Sequence, residues 1–316
     1  MPSCSKKGPL DLSAFLTNTG LELEDLYRNR KDGGWTRLLR SQGLLPAQVQ
    51  PGETEDFLLG RIRSLLHVND AERARRYLAI ADPSGRAYSE MNLVDQVFVR
   101  MLVTHLWANQ TGSAAPDSFE DALRVMRSVP AFAEELKQVF KYHLGQSRIS
   151  PLPVSGPGAG NLYTHADYSN AELTACLREA PLSKLLHLPR EGVYYISEAD
   201  VDLFFVTLTK NENDFSESTR YADYPIPRDL FQWESQSTAS LSSKAGQRYI
   251  HHQEHGHSIY LCVRNTRQSS TGVANAFTFL GDVTYVSHQG EKPIRFEWRL
   301  SRAMPAALYE QGRAVV

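Results

Sequence analysis

Two stretches of this 316-residue chain hold residues whose types and spacing suggest chemistry. The first is HHQEHGH at 251–257, in which His251, Glu254 and His255 match the H-x-x-E-H string of inverted zinc peptidases. There, two histidines at i and i+4 on a helix converge on one metal while the glutamate polarises water. Here Gly256 follows at once and Ile250 closes a strand-like Gln-Arg-Tyr-Ile run, so the pattern predicts a polar turn between strands rather than that helix. Histidines in such a turn would be adaptable hydrogen-bonding groups near a phosphate. A zinc-dependent hydrolase built on these three residues stands as the alternative reading.

The second stretch runs from Lys210 to Tyr249. It interleaves the aromatics Tyr221, Tyr224, Phe231, Trp233 and Tyr249 with Ser235, Gln236, Ser237 and Thr238, and with the dispersed cations Lys210, Arg220, Lys244 and Arg248. Rings among small polar groups and cations are what a site needs to stack on a planar base, bond its edge and grip flanking phosphates. The same residue types also build ordinary cores with solvated rims. Asp202, just ahead of an apolar run, reads as a capping or turn residue sooner than as a base-recognising one, and Trp298 as core.

These residues must be positioned by two different kinds of scaffold. From residue 10 to about 148 apolar residues recur at helical spacing, as in Phe57, Leu58, Ile62, Leu65 and Leu66, or Leu93, Val97, Met101, Leu102 and Leu106. Asp11 and Ser118 mark helix starts, and Gly43 to Pro46 and Asp82 to Gly85 mark stops. Residues 147–160, with three prolines and three glycines, read as a linker. Ser169 with Glu172 then has the spacing of a capping box. Beyond it the period changes to two, and strands are expected at 192–197, 202–209, 230–236, 258–265, 277–288 and 294–300, with a bulge at Gly281 and a tight turn at Gly290. Strands of this number and length most economically close into a small barrel. The segments 210–229 and 237–257 are too long for hairpins and read as functional loops.

Composition narrows the class. With 41% hydrophobic and 22% charged residues the chain is globular, and 34 Lys plus Arg against 36 Asp plus Glu, a net charge of −2, gives no global pull toward nucleic acid or anionic lipid. No 18-residue apolar run and no secretory signal is present, so the expected compartment is the cytoplasm and no membrane partner is expected. Cys4, Cys176 and Cys262 are too few and too far apart for a disulfide framework; Cys176 and Cys262 read as buried apolar residues. A phosphate-binding P-loop, a dinucleotide fingerprint, a serine-hydrolase elbow and a C-x-x-C pair are all missing.

The strings DLFFVTLTK, FSESTRYADYPI, LFQWESQS, GQRYI, VRN, FLG, YVSHQG, EWRL and MPA, in order from about Tyr163 to Met304, resemble a bacterial C-terminal domain of unknown function. That domain is carried by fusions of a phospholipase-D-type nuclease with a superfamily II helicase, including type IV, modification-dependent restriction enzymes. LEDLY followed by GGWTRLLRSQGLL is similar to small helical repeats associated with homing nucleases. The nuclease and helicase motifs of such fusions are not found in this chain.

The resemblance implies an α+β protein. An all-helical domain over 1–150 would be followed over 151–316 by a small barrel of the SRA/PUA-like group with flanking short helices. It implies a binding module rather than an enzyme, without catalytic residues, metal or cofactor. Its partner would be double-stranded DNA carrying 5-methyl- or 5-hydroxymethylcytosine, with a helicase or nuclease protein as a further partner. In that reading a flipped cytosine stacks among Tyr221, Tyr224, Phe231 and Trp233, and Ser235 and Gln236 bond its edge. Lys210, Arg220, Lys244, Arg248 and Arg264 hold phosphates. Arg73, Arg75 and Arg76, and Arg37 and Arg40 beside Trp35, would be auxiliary backbone contacts or a docking face for a motor domain. A purely non-catalytic docking module for a helicase is the other alternative.

Overall fold

The computed structural model describes residues 11–313 apart from 30, 46–51, 111, 147–150, 155–158, 189–191, 210–222, 238 and 270–271. The chain divides into two compact units, Met1–Asp95 with Pro116–Arg148, and Gln96–Ala115 with Ile149–Val316. The architecture is α+β, helices preceding a mixed sheet. Among the described residues no helix is long and apolar enough to cross a membrane.

The first unit is built from α1 (Leu12–Thr19), α2 (Leu23–Leu26), α3 (Trp35–Ser41), α4 (Glu53–Ile62), α5 (Ala71–Ala81), the first turn of α6 (Leu93–Leu106), α7 (Phe119–Arg127) and α8 (Pro130–Gln146). The expected caps form: the Asp11 side chain accepts from Ala14 N, and Ser118 from Asp121 N. The helix α3 has glycine at its N-cap and no cap of its own. Its first amides are taken instead by Glu135 of α8, 1% exposed, whose carboxylate accepts from Trp35 N at 3.0 Å, Thr36 N at 2.9 Å and the Tyr27 hydroxyl at 2.7 Å. The Gly33-Gly34 pair makes room for this. A Cβ on Gly34, at φ +124°, would stand 2.9 Å from Glu135 Oε1, and one on Gly33 would stand 2.3 Å from the Asn29 carbonyl oxygen.

The second unit contains the rest of α6, β1 (Leu152–Pro153), β2 (Tyr163–Thr164), β3 (Asp167–Tyr168), α9 (Asn170–Leu177), α10 (Leu182–Leu185), β4 (Val193–Ile196), β5 (Val201–Thr207), β6 (Tyr224–Pro225), β7 (Leu230–Glu234), α11 (Lys244–Ile250), β8 (Ser258–Arg264), β9 (Phe277–Gln289), β10 (Arg295–Leu300) and α12 (Ala306–Arg313). The six expected strands are present, and the Ser169–Glu172 capping box opens α9. β1, paired with β2, lies inside the stretch read as a linker. The strand order is β4-β5-β8-β9-β10-β7-β6, with β3 on β9; β5 and β8 are parallel and the other pairs antiparallel.

Among the described residues no pairing closes this sheet into the expected barrel. It is nonetheless rolled. β5 and β7 are four steps apart, which in a flat sheet would separate them by roughly 19 Å. Yet Phe204 of β5 stacks on Trp233 of β7 with ring centroids 4.1 Å apart. The bend comes from β9, which carries two bulges. Leu261 pairs with Gly281 and Cys262 with Phe279, leaving Leu280 extra beside Gly281 at φ +86°. Val286 is likewise skipped between Ser287 and Tyr285 opposite β10. Inside the roll lie Phe204, Phe231, Trp233, Tyr249, Leu261, Phe296 and Trp298, all buried. Cys176 and Cys262 are buried free thiols, as read from the sequence.

Glu135→Ala would leave two helix amides and a phenol buried without acceptors. The first unit is expected to lose about 3 kcal/mol of stability, measured by chemical denaturation, whereas Glu135→Gln, which keeps one acceptor, should lose less than half of that.

Candidate functional site: a buried carboxylate beneath an arginine

Asp202 is the second residue of β5 and alternates with Phe204 toward the inside of the roll. Its carboxylate is completely buried. This differs from the capping or turn role read from the sequence, because α11 and the segment after it cover that end of the strand with cations. Arg248 of α11 grips Asp202 with both arms, Nε to Oδ2 at 2.6 Å and Nη2 to Oδ1 at 3.0 Å. His257, just ahead of β8, meets Oδ2 through Nε2 at 2.9 Å, and its Nδ1 meets Asp200 Oδ1 at 2.9 Å. Asp200, in the β4–β5 turn at φ +49°, also accepts from the Tyr195 hydroxyl at 3.1 Å. The Arg248 guanidinium lies over the Tyr195 ring, 4.1 Å from its centroid, and Tyr195 is 42% exposed.

Two histidines of one loop hold different charge states here. Both nitrogens of His257 face carboxylates, so both donate and the ring is an imidazolium. Burial alone would push His257 down, but its bonds to Asp202 and Asp200 and their charges outweigh that and hold it above its ordinary 6.5. The bond to His257 in turn holds Asp200 below the usual carboxylate range. His252 accepts from Tyr285 N at Nε2, 3.1 Å, so its proton sits on Nδ1 and is donated to the His257 carbonyl at 3.2 Å. Burial pushes it down, consistent with a neutral ring.

The zinc string lies outside this network. After α11 ends, residues 251–256 form turns, and His251 Nδ1 bonds Glu254 at 3.1 Å while the His251 and His255 ring centroids are 6.3 Å apart. Ligand atoms of His251, Glu254 and His255 do not converge into a metal-holding group.

The predicted base-binding residues that the structure describes are not gathered into a cup. Phe231 and Trp233 are in the core, the latter stacked on Phe204 and, at 5.8 Å, on Phe296. Burial of Phe231 and the rings packed on Trp233 correct their reading as pocket walls; alternation along β7 sends both inward. Ser235 is also buried and clasps the start of β10, its N bonding Ile294 O and its Oγ accepting from Ile294 N, both at 2.9 Å. This replaces its reading as an edge-reading group. Gln236 is half-buried beside it, its carbonyl accepting from Ala239 N. Tyr224 on β6 donates to Gln232 at 2.9 Å.

Lys210, Arg220 and Tyr221 lie outside the described residues. Of the other expected phosphate ligands, Arg264 donates to Thr207 and Asn275 O and covers Phe277 at 4.2 Å, whereas Lys244 is exposed on α11. The helical-unit arginines are paired too: Arg73 with Asp70 in full burial, Arg75 with Glu72, Arg76 with Glu72 and Asp95, Arg37 with Asp56 and Arg40 with Glu55. They are intramolecular partners rather than the free cationic face that an auxiliary contact requires.

Tyr195, Asp200 and His257 are the residues that the sequence pattern does not single out. The usable signal is Asp202 itself, a carboxylate in the run VDLFFVT, which demands a cation from elsewhere. Helix α11 is hidden by Gly246, whose position a Cβ would bring within 2.2 Å of the Ser240 carbonyl oxygen.

Residues 164–311 match the model of a family described as a domain of unknown function (DUF3427). The span contains every residue of this network. No curated protein matches the chain.

Because the folded value of His257 lies above the unfolded one, its stabilising contribution is complete below about pH 6.5 and is lost as pH rises through the folded value. Relative to His257→Gln, the wild type is therefore expected to lose unfolding temperature between about pH 6 and pH 9. Thermal denaturation followed by circular dichroism across this range checks it.

Proposed function

We propose that the second unit is a DNA-reading module selective for modified cytosine, with the Tyr195–Arg248 shelf as its contact surface. One observation carries the reading: an arginine clamped by a buried carboxylate lies over an exposed tyrosine. An arginine so held keeps its outer edge for phosphate and offers its plane to a base, with little rotamer freedom left to lose. Helix α11 extends the surface. Lys244 and Arg248 are four residues apart on one helical face, and the turns that follow bring His251 and His255 to the same spiral through His251 N to Gln247 O and His255 N to His251 O.

In this reading the stacking role expected of Phe231 and Trp233 passes to Tyr195 and the Arg248 plane. Swinging a base out of a duplex costs a few kcal/mol, and burying one extra methyl returns only about 1 kcal/mol. Phosphate contacts must therefore supply most of the affinity, and the modification supplies the preference. The rolled sheet supplies rigidity, since Tyr249, next to Arg248, is fixed edge-on against Phe204 at 5.2 Å and Trp233 at 5.7 Å. An SRA/PUA-like relationship agrees with a curled sheet that presents such a rim, and a helicase or nuclease partner would convert recognition into cleavage.

Fluorescence anisotropy with plain, 5-methylated and 5-hydroxymethylated duplexes of one sequence tests the proposal. At least one modified duplex is expected to bind more tightly than the plain one. Tyr195→Ala, at an exposed position, should remove that preference in a protein still folded by circular dichroism. Lys244→Ala should weaken all three duplexes alike and reduce the salt slope by about 1. Equal affinity for the three duplexes, or no binding, overturns the proposal.

A further inference from the structure

The side chains around Asp202 close on themselves. The Tyr195 hydroxyl donates to Asp200 Oδ1 at 3.1 Å, Asp200 meets His257 Nδ1 at 2.9 Å, and His257 Nε2 meets Asp202 at 2.9 Å. Asp202 accepts from Arg248 at 2.6 and 3.0 Å, and the guanidinium returns over the Tyr195 ring, 4.1 Å from its centroid. Two cations face two carboxylates in this ring of contacts, so it is neutral while His257 carries both protons. The groups that face His257 are Asp202 from β5, Asp200 from the β4–β5 turn and Tyr195 from β4, whose ring centroid is 5.8 Å from that of the imidazole. His252 bonds its carbonyl, and Arg248 of α11 reaches it through Asp202. The backbone fixes the same arrangement: Ser258 N donates to Asp200 O at 3.2 Å, tying the turn that carries the carboxylate to the segment that carries the imidazole.

The two carboxylates differ in what they can do without the imidazolium. The side chain of Asp202 is fully buried, whereas that of Asp200 is 54% exposed. A neutral imidazole has one N–H to give, and its bare nitrogen repels whichever carboxylate it still faces. Water can take its place at Asp200 but not at Asp202. The remaining proton is therefore kept at Nε2 on Asp202, and Asp200 is the partner released, carrying with it the acceptor of the Tyr195 hydroxyl. Tyr195 then keeps the contact of its ring with Arg248, a weak restraint on a side chain of a residue 42% exposed. Burial lowers the proton affinity of His257, but its bonds to Asp202 and Asp200 and their charges outweigh burial, so the release falls on the alkaline side of 6.5.

We infer that His257 is a positioning residue for the Tyr195–Arg248 shelf: bonded to Asp200 and Asp202 at once, it locks the exposed ring against the guanidinium, and the preference for a modified base depends on that lock. The inference rests on the reading of the shelf as the contact surface. It adds to it a buried residue that need not touch the ligand and a dependence on pH that the reading alone does not require.

Asp200→Gly tests it on the full chain. Glycine takes the φ of +49° without strain, and the change cuts Tyr195 from His257 while leaving the bonds of Asp202 to Arg248 and His257 in place. Plain, 5-methylated and 5-hydroxymethylated duplexes are titrated by fluorescence anisotropy at about pH 6 and about pH 9, with both proteins shown to be folded by circular dichroism. The ratio of modified to plain affinity is read, because the three duplexes carry one charge and the titration of exposed groups such as His251 and His255 cancels. In the wild type the ratio is expected to fall about fivefold from the lower pH to the higher, the cost of ordering one free side chain on binding. In Asp200→Gly it should already be as low at the acid end as the wild type is at the alkaline end. A wild-type ratio that does not change with pH, or an Asp200→Gly ratio equal to that of the wild type at the acid end, overturns the inference and leaves the shelf, which Tyr195→Ala tests separately. If no modified duplex is preferred at either pH, the shelf reading fails, and the free protein decides whether His257 positions the ring. The nuclear Overhauser contact between the Tyr195 ring and the Arg248 side chain should then be present at the acid end, lost at the alkaline end and lost at both in Asp200→Gly; its persistence in either case overturns the inference.

Discussion

The arrangement of the second unit turns on a carboxylate placed where water cannot reach it. An ionised Asp202 at zero exposure would be several kcal/mol unfavourable without partners. Its two partners come from segments far along the chain: Arg248 from a short helix and His257 from the turn that leads into β8. This single demand explains the course of residues 244–257. The helix must end where Arg248 reaches β5, and the chain must then double back so that His257 enters the strand parallel to it. His252 secures the return by bonding the His257 carbonyl and the Tyr285 amide. A buried pair of this kind contributes little net stability compared with apolar packing, so its physical effect is to fix geometry.

The second constraint is the contact of Phe204 with Trp233 across a sheet in which their strands are not neighbours. Two bulges in β9 let one long strand serve both halves of the roll, pairing β8 and β3 with its first half and β10 with its second. The aromatic residues of β7 and β10 are spent on holding this curvature. That is why a composition suited to base stacking, when it falls on strands, ends inside the protein, and why the exposed ring is found on the edge strand β4 instead.

Most of the scaffold is legible from periodicity. The change of apolar spacing near residue 150 separates helices from strands, and the six long strands, the capping box at Ser169 and the bulge at Gly281 all follow local rules. What escapes is whatever depends on distant partners. Whether six strands close is settled by pairing between strand ends, which alternation does not encode. The cap of α3 is supplied by Glu135, 100 residues beyond Trp35, so a helix with Gly34 at its N-cap has no local start signal beyond the glycines that admit that carboxylate. The site follows the same pattern. Arg248 and Lys244 are readable as cations, but Tyr195, Asp200 and His257 acquire meaning only once β4, β5 and β8 lie side by side.

The HHQEHGH segment shows how the same letters support different chemistry. Spacing selects His251 and His255, because a metal on a helix needs i and i+4. Burial selects His252 and His257, because a histidine adjusts its protonation to the group it meets. One of these is charged between two carboxylates and the other neutral between an amide and a carbonyl, so the pair transmits the position of Asp202 to β9 without any metal being needed to organise the loop. A lysine at position 248 would keep the charge but not the arrangement. Two parallel bonds to Asp202 and a planar face on Tyr195 require a guanidinium, and in the proposed reading it is this planarity that would let a structural ion pair meet a flat, anionic ligand.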